Sequence, residues 1–203
     1  MHNYLSNKNT KLARSGIFSF GIPAGKYCPG KGTCKLGCYA MQGFFVMPSV
    51  RLGQKRRAEL AKSDAFVPVM NAEIKRRKVR VLRIHDSGDF FSVSYLNKWL
   101  QIIQDNPETE FYAYTKMIPL FLGKPLPKNF RVIFSFGGIW DSMIDTTKHA
   151  HSRVFGSIEE LKANHYADAS HDDTVALNTR LVGLVYHGAK SKKWTTQQEV
   201  NHA

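Results

Sequence analysis

The three cysteines of this chain, Cys28, Cys34 and Cys38, lie in one short loop. The first two enclose a proline and two glycines, which let the backbone bend around a bound group. Lys31 and Lys35 lie between the thiols, and their charge favours the thiolate form that binds metals. Because three cysteines cannot pair completely as disulfides, the loop is predicted to bind a metal ion or an iron–sulfur cluster.

The residues leave two kinds of metal site open. Structural zinc takes four ligands, and thiolates with one imidazole are a common set. The fourth ligand would then come from outside the loop, from His85, His149, His151 or His187. His85 fits a hydrogen-bonded core position equally well. An iron–sulfur cluster on three thiolates instead leaves one iron open to a substrate or cofactor.

The elements around the loop predict how it is positioned. Strands and helices alternate along the chain, which favours an α/β fold: a partial (β/α) barrel or a mostly parallel sheet with flanking helices. The predicted strands cover about residues 16–22, 79–85, 111–115, 130–136 and 179–186, and the predicted helices about 50–62, 65–77, 93–105 and 157–165.

Polar residues follow several of these strands at the point where each one ends. The cysteine loop follows the first strand, Ser87-Gly88-Asp89 follows the second, and Ser135 closes the fourth. In parallel sheets, ligands bind beyond the carboxyl ends of the strands. The three groups are therefore predicted to meet at one edge of the sheet.

Clustered cysteines after a first strand, with Tyr39 beside the last of them, resemble the cluster loop of radical S-adenosylmethionine enzymes. The resemblance implies a [4Fe–4S] cluster on Cys28, Cys34 and Cys38, with the fourth iron taking the amino and carboxylate groups of S-adenosylmethionine. It also implies a radical-enzyme-like barrel. Such enzymes cleave the cofactor reductively, and the 5′-deoxyadenosyl radical abstracts hydrogen from a substrate.

The turn after the second strand extends the resemblance. Ser87-Gly88-Asp89 is similar to the family's Gly-Gly-Glu turn, which receives the methionine amino group of the cofactor. This implies close backbone approach at Gly88 and an acceptor at Asp89. Ser135 matches a position that meets the methionine or ribose part.

The chain also resembles a group of small bacteriophage proteins of unknown function over about residues 15–140. That resemblance implies no reaction. The shared motifs are Cys28-Pro29-Gly30 with Cys34 and Cys38-Tyr39-Ala40, the Arg-Ile-His-Asp-Ser-Gly-Asp-Phe run at 83–90, and Tyr114-Thr115-Lys116.

The charge of the chain predicts a polyanionic partner. The formal net charge is +13 and the pI is about 9.8. Phosphate contacts are predicted at the basic positions of two helices, for which a solvated helix face is the alternative. These positions are Arg51, Lys55, Arg56, Arg76 and Arg77.

Domain organisation and location follow from composition. A single α/β domain is predicted over 15–187, with the cysteine loop at 28–38, a basic N-terminal arm at 1–14 and a polar C-terminal tail at 188–203. No apolar run approaches the ~20 residues of a membrane span, and the N-terminus lacks an apolar signal segment. We therefore expect a cytoplasmic protein with no membrane contact, in the host cytoplasm if a phage encodes it.

Two functions are consistent with these observations. The first is a radical S-adenosylmethionine enzyme whose substrate is unidentified, with nucleic acid and a host protein as the two candidates. The second is a non-catalytic phage protein, stabilised by zinc or a cluster, that binds nucleic acid or a host factor through its basic surface.

Overall fold

A single all-parallel sheet of seven strands forms the centre of the molecule and curls into a half-barrel. The computed structural model describes residues 3–186. The strands are β1 (Ile17–Phe20), β2 (Val81–Ile84), β3 (Glu110–Thr115), β4 (Phe130–Ser135), β5 (His151–Phe155), β6 (Ala167–Asp168) and β7 (Leu181–Val185). Their order across the sheet is β1-β2-β3-β4-β5-β7-β6, and all neighbours are parallel. The predicted α/β fold with a partial barrel and flanking helices is confirmed.

Helices form the crossovers from β1 to β2, from β2 to β3, from β5 to β6 and from β6 to β7, whereas short 3-10 turns lie in the connections on either side of β4. Sequence signals set several of their ends: Pro48 occupies the first turn of its helix, and the Ser92 hydroxyl accepts from the Tyr95 N–H at 3.1 Å. The helices are α1 (Thr10–Arg14), α2 (Pro48–Lys62), α3 (Phe66–Arg76), α4 (Val93–Asp105), α5 (Ile158–Ala163) and α6 (Val175–Asn178).

Alternate residues of the central strands bury their side chains on opposite faces of the sheet. The outer face packs under α2, α3 and α4 in an aromatic-rich core that includes Phe20, Phe66 and Trp99. The inner face forms a smaller core, where Tyr112 and neighbouring apolar side chains meet α1 and α6. Burial on both faces explains why the strands read as continuous apolar runs.

The sequence prediction omitted two strands, β5 and β6. Three of the five residues of β5 are His151, Ser152 and Arg153, so the strand lacks the apolar run that marks its neighbours. β6 has only two residues. Both strands are held by pairing with β7 rather than by a pattern of their own.

The described part of the predicted N-terminal arm packs against the domain. Leu5 and Leu12 are buried, and the backbone N–H groups of Tyr4 and Leu5 donate to the carboxylate of Glu73. The predicted tail at 188–203 lies outside the described residues. None of the helices within 3–186 combines the length and apolarity that a membrane crossing requires.

Candidate functional site at the carboxyl edge of the sheet

A cavity of about 410 Å³ opens at the carboxyl edge of the half-barrel. The segments after β1, β2, β3 and β4 contribute to its wall, together with the ends of β5 and β7. All seven residues that the sequence assigns to the cluster and the cofactor line this one cavity. They are Cys28, Cys34, Cys38, Ser87, Gly88, Asp89 and Ser135.

The cysteine loop is a series of short 3-10 turns braced by the loop that follows β4. The backbone N–H groups of Gly32 and Cys34 both donate to Gly137 O, at 3.2 and 3.1 Å. A Cβ atom on Gly32 would lie 2.8 Å from the carbonyl carbon of Gly138, so only glycine allows this approach. The Asp141 carboxylate accepts from Gly137 N and Gly138 N and fixes the bracing loop in turn.

The three thiols are free and half-buried. Burial raises the pKa of Cys28 to about 12 and also raises that of Cys38. For these two cysteines the effect of burial outweighs any effect of the neighbouring lysines. The ammonium of Lys31 donates to Gly25 O at 2.7 Å.

The thiols share a cavity wall without forming a preassembled ion site. Within residues 3–186, no group of three or more His, Cys, Asp or Glu side chains is placed so that it could hold a metal ion. As donors, three thiols still match the set that a [4Fe–4S] cluster needs for three of its irons.

The turn after β2 is hydrogen-bonded to the segment that leads into the cysteine loop. Ile22 N donates to Ser87 O at 3.0 Å, and the Ser87 hydroxyl donates to Ile22 O at 2.9 Å. Gly88 has a φ of +79°, which favours glycine. The backbone N–H of Asp89 donates to Tyr27 O at 2.8 Å, next to Cys28.

The carboxylate of Asp89 is buried and held by three donors. Its Oδ1 accepts from the Thr115 hydroxyl at 2.6 Å and from Phe90 N at 2.8 Å. Its Oδ2 accepts from Lys116 N at 2.9 Å. Burial raises the pKa of Asp89, and these hydrogen bonds oppose the rise. Since Oδ2 takes a single donor, it keeps acceptor capacity on the cavity side.

Lys116 connects the ends of β3 and β4. Its ammonium donates to the Ser135 hydroxyl at 2.6 Å and to Phe136 O at 2.8 Å. The predicted cofactor residue Ser135 is therefore oriented by a cation that the sequence reasoning noted only as part of the Tyr-Thr-Lys motif.

The inner wall of the cavity contains an ion pair between Arg83 and Asp173, which are distant in sequence. Arg83 of β2 faces the cavity, and its Nη1 donates to the buried carboxylate of Asp173 at 2.9 Å. Lys11 and Tyr112 also bind this carboxylate. An arginine within an apolar strand is a visible signal for Arg83. Asp173, which lies between β6 and α6, has no comparable signal.

The four histidines considered as a fourth zinc ligand are placed differently. His85 has its ring in the aromatic core, 4.6 Å from the Phe90 ring, with Nε2 3.0 Å from the Tyr95 hydroxyl. His149 and His151 do not line the cavity. His187 lies outside the described residues.

The predicted nucleic-acid residues fall into two separate places. Arg51, Lys55 and Arg56 are exposed on α2, which follows the cysteine loop. Arg76 and Arg77 end α3 at the opposite, amino edge of the sheet. There Arg76 donates to the Asn3 side chain at 2.8 Å, and Arg77 lies 3.4 Å from Glu73.

The fold and cavity define a class: a parallel α/β half-barrel protein with a cysteine-lined site at its carboxyl edge. A family model described as Gene product 88 matches residues 3–201, so the chain belongs to this family of bacteriophage proteins. The predicted resemblance to phage proteins is thereby confirmed. The resemblance to radical S-adenosylmethionine enzymes is not shown by this match and stays a prediction.

Two curated relatives come from mycobacteriophages. The chain is 34% identical to the Gene 88 protein of Mycobacterium phage L5 and 32% identical to the Gene 88 protein of Mycobacterium phage D29, in each case over 130 residues. Each alignment covers 57% of this chain and 54% of the relative. The chain spans about half the length of the curated relatives it matches. No solved structure matches the chain.

Proposed function

We propose that this protein binds a [4Fe–4S] cluster through Cys28, Cys34 and Cys38 and uses S-adenosylmethionine as a cofactor. One observation supports the proposal above the others: the three cysteines and the four predicted cofactor residues line a single cavity. That cavity lies where parallel sheets bind their ligands.

Each part of the wall has a distinct task in this proposal. When bound, the cluster supplies an electron and an open iron position for the cofactor. The cysteines hold it, and the glycines of the loop allow the thiols to draw together around it. Asp89 Oδ2 offers an acceptor to the methionine amino group, and Ser135 offers a hydroxyl fixed by Lys116.

Metal and acid-labile sulfide analysis of protein purified without oxygen tests the cluster. We expect about four irons and four sulfides per chain and a broad visible absorption. Cys34→Ser should lose most of the iron. Ser135→Ala is the matched control, because it alters the same cavity without removing a thiol and should keep the iron.

The alternative is a structural zinc site, and the same analysis separates the two. One zinc per chain without sulfide would overturn the cluster. Full retention of iron by Cys34→Ser would overturn it as well. If the cluster is present, equilibrium dialysis with S-adenosylmethionine should show saturable binding that Ser135→Ala weakens. Failure of the loaded wild-type protein to bind S-adenosylmethionine would refute the cofactor assignment.

Binding of single-stranded nucleic acid is a second candidate function, favoured by the surface beside the cavity. The first 58 residues contain ten Lys or Arg residues and no Asp or Glu. Arg51, Lys55 and Arg56 are exposed on α2. Phe44, which is 80% exposed, lies in the 3-10 turn just before that helix. Cations beside an exposed aromatic ring suit phosphates and stacked bases.

Fluorescence anisotropy with a labelled oligothymidylate tests this surface. Replacing Arg51, Lys55 and Arg56 by alanine should weaken binding and reduce the slope of log affinity against log salt by roughly 2, at about 0.7 per phosphate contact. Phe44→Ala should cost about 1–3 kcal/mol of binding free energy through lost stacking.

A second triple substitution provides the matched control. Lys75, Lys78 and Arg80 are exposed at the opposite edge of the sheet, and their replacement removes the same charge. It should leave affinity nearly unchanged. Equal losses in both triples would refute a defined surface. Equally tight binding of poly-glutamate would indicate an acidic protein partner instead.

A further inference from the structure

Arg83 lines the cavity and carries N–H donors that no residue within 3–186 uses. Its Nη1 donates to Asp173, but its buried Nε–H has no partner, and its Nη2 makes no hydrogen bond to any residue within 3–186. The side chain is only 12% exposed and packs 4.7 Å from the centre of the Tyr114 ring. Because an unpaired donor in a buried position is unfavourable, a ligand acceptor at Nη2 would stabilise this arrangement.

Three further groups on Asp173 fix the carboxylate that orients the guanidinium. Besides Arg83, the carboxylate accepts from the Tyr112 hydroxyl, lies 2.7 Å from the Lys11 ammonium, and lies 3.4 Å from the Tyr114 hydroxyl. Asp173 is completely buried. The arginine is therefore fixed through Nη1, and its Nη2 remains available.

The charge around the cavity favours an anion. Within residues 3–186, four cations line it, Lys11, Lys31, Arg83 and Lys116, against the two carboxylates of Asp86 and Asp89. Adding buried Asp173 behind Arg83 leaves a net formal charge of +1. Both lining carboxylates already accept hydrogen bonds: Asp86 from the Ser19 hydroxyl at 2.7 Å, and Asp89 from its three donors.

We propose that Arg83 forms an anion subsite on the inner wall of the cavity and binds a carboxylate or phosphate group of a ligand through Nη2. A planar guanidinium fork can bind Asp173 through Nη1 and a second anion through Nη2 in a fixed geometry, whereas an ammonium cannot. Tyr114 flanks the arginine on the same wall. The subsite depends on the cavity and not on the cluster, so it stands whether or not iron is bound.

Two sources supply this chemistry: the carboxylate of S-adenosylmethionine itself, or an anionic group on a second ligand. Phosphorus NMR of inorganic phosphate with the purified protein tests the subsite directly. We expect saturable broadening of the phosphate signal by the wild type. Affinity should fall at least tenfold in both Arg83→Lys and Arg83→Gln.

The two variants keep the test decisive. Arg83→Lys retains the ion pair with Asp173 and so retains the fold, but it removes the fork. Arg131→Lys is the matched control: this strand arginine also has a buried, unpartnered Nε, but it donates to Thr179 O and does not line the cavity. It should bind phosphate like the wild type. Equal phosphate binding by wild type and Arg83→Lys, or no saturable binding by the wild type, would overturn the subsite.

Competition then identifies the source. Displacement of phosphate by S-adenosylmethionine would place the cofactor carboxylate on Arg83. Simultaneous binding of both would place a second, anionic ligand there. Phosphate binding that depends on Arg83, in protein that binds neither iron nor S-adenosylmethionine, would sink the proposed function and leave the subsite intact.

Discussion

Asp173 shows how one buried carboxylate organises the inner face of the half-barrel. Burial alone would raise its pKa, but the charges of Arg83 and Lys11 outweigh that effect and lower the pKa to about 2. The residue is thus charged in the folded protein and holds two cations that would otherwise be buried without a partner. Asp173 stabilises the fold because it removes the free-energy cost of burying those two cations without a counter-charge.

Asp173→Asn should therefore destabilise the protein by about 3–5 kcal/mol at neutral pH, measured by urea unfolding. The folded pKa lies below that of the unfolded chain, so the stabilisation is present above about pH 4 and is lost as pH falls towards 2. Between about pH 4 and pH 2, the variant should lose roughly 2 kcal/mol less of its unfolding free energy than the wild type does. If the stability of Asp173→Asn falls with pH in the acid range as steeply as that of the wild type, the lowered pKa of Asp173 would be contradicted.

His85 should control stability in a higher pH window. Burial, with a smaller effect of Arg83, lowers its pKa to about 3 from a usual value near 6.5. Because the unfolded chain then binds the proton more readily, stability is complete above about pH 6.5 and falls as pH drops towards 3, by up to roughly 4 kcal/mol.

His85→Asn should weaken the dependence of stability on pH in this range. The substitution also leaves a cavity in the core, so it should lower stability at neutral pH. Asparagine tolerates the φ of +66° at this position. His165→Asn is the control, since His165 also has a positive φ, +61°, but is exposed. Thermal unfolding from pH 7 to pH 4 makes the comparison. A parallel pH profile for His85→Asn and wild type would show that His85 does not titrate in this range.

The residues of the candidate site divide by how visible they are in the sequence. Cys28 and its two partners are recognisable because type and spacing alone carry the signal. Asp89 is recognisable because it follows a strand at a glycine turn. Asp173 is invisible because its role arises from tertiary contacts with Arg83 and Lys11, which are distant in sequence.

At the level of elements, the turn after β2 links the sheet to the cysteine loop. Gly88 combines a φ of +79° with a close approach, because a Cβ atom there would lie 2.4 Å from Ile22 Cγ1. Gly88→Ala should lower stability by about 2–4 kcal/mol through strain and displacement of Ile22. Gly123→Ala is the matched control, with a φ of +70° and nothing within 4 Å of its Cβ. Equal melting temperatures for the two variants would show that the approach to Ile22 is unimportant.

The same elements explain the success of the fold prediction. β1 to β4 and β7 consist mostly of apolar residues, so each is recognisable as a short hydrophobic run. The order of strands and helices then favours a parallel sheet. The sequence does not predict β5, because polar residues such as His151 make its side-chain contacts. His151 Nε2 lies 2.8 Å from the Tyr166 hydroxyl.

On the scale of the whole molecule, the N-terminal segment belongs to the fold. Leu5 closes the outer core and Leu12 the inner core, so residues 3–14 contact both faces of the sheet. The segment also supplies Lys11 to Asp173 and two backbone donors to Glu73. The basic composition that marks this stretch in the sequence hides its two buried leucines.

Deleting residues 1–14 should therefore prevent cooperative folding. Loss of a buried leucine costs about 2–5 kcal/mol, and two of them approach the 5–15 kcal/mol that stabilises a typical domain. Thermal unfolding followed by circular dichroism should show no sharp transition for the deletion and a clear but shifted one for Leu12→Ala. Lys8→Ala, an exposed change in the same segment, should match the wild type. A deletion variant that unfolds cooperatively at the wild-type temperature would show that the segment is an appendage, and that Glu73 and Asp173 find their partners elsewhere.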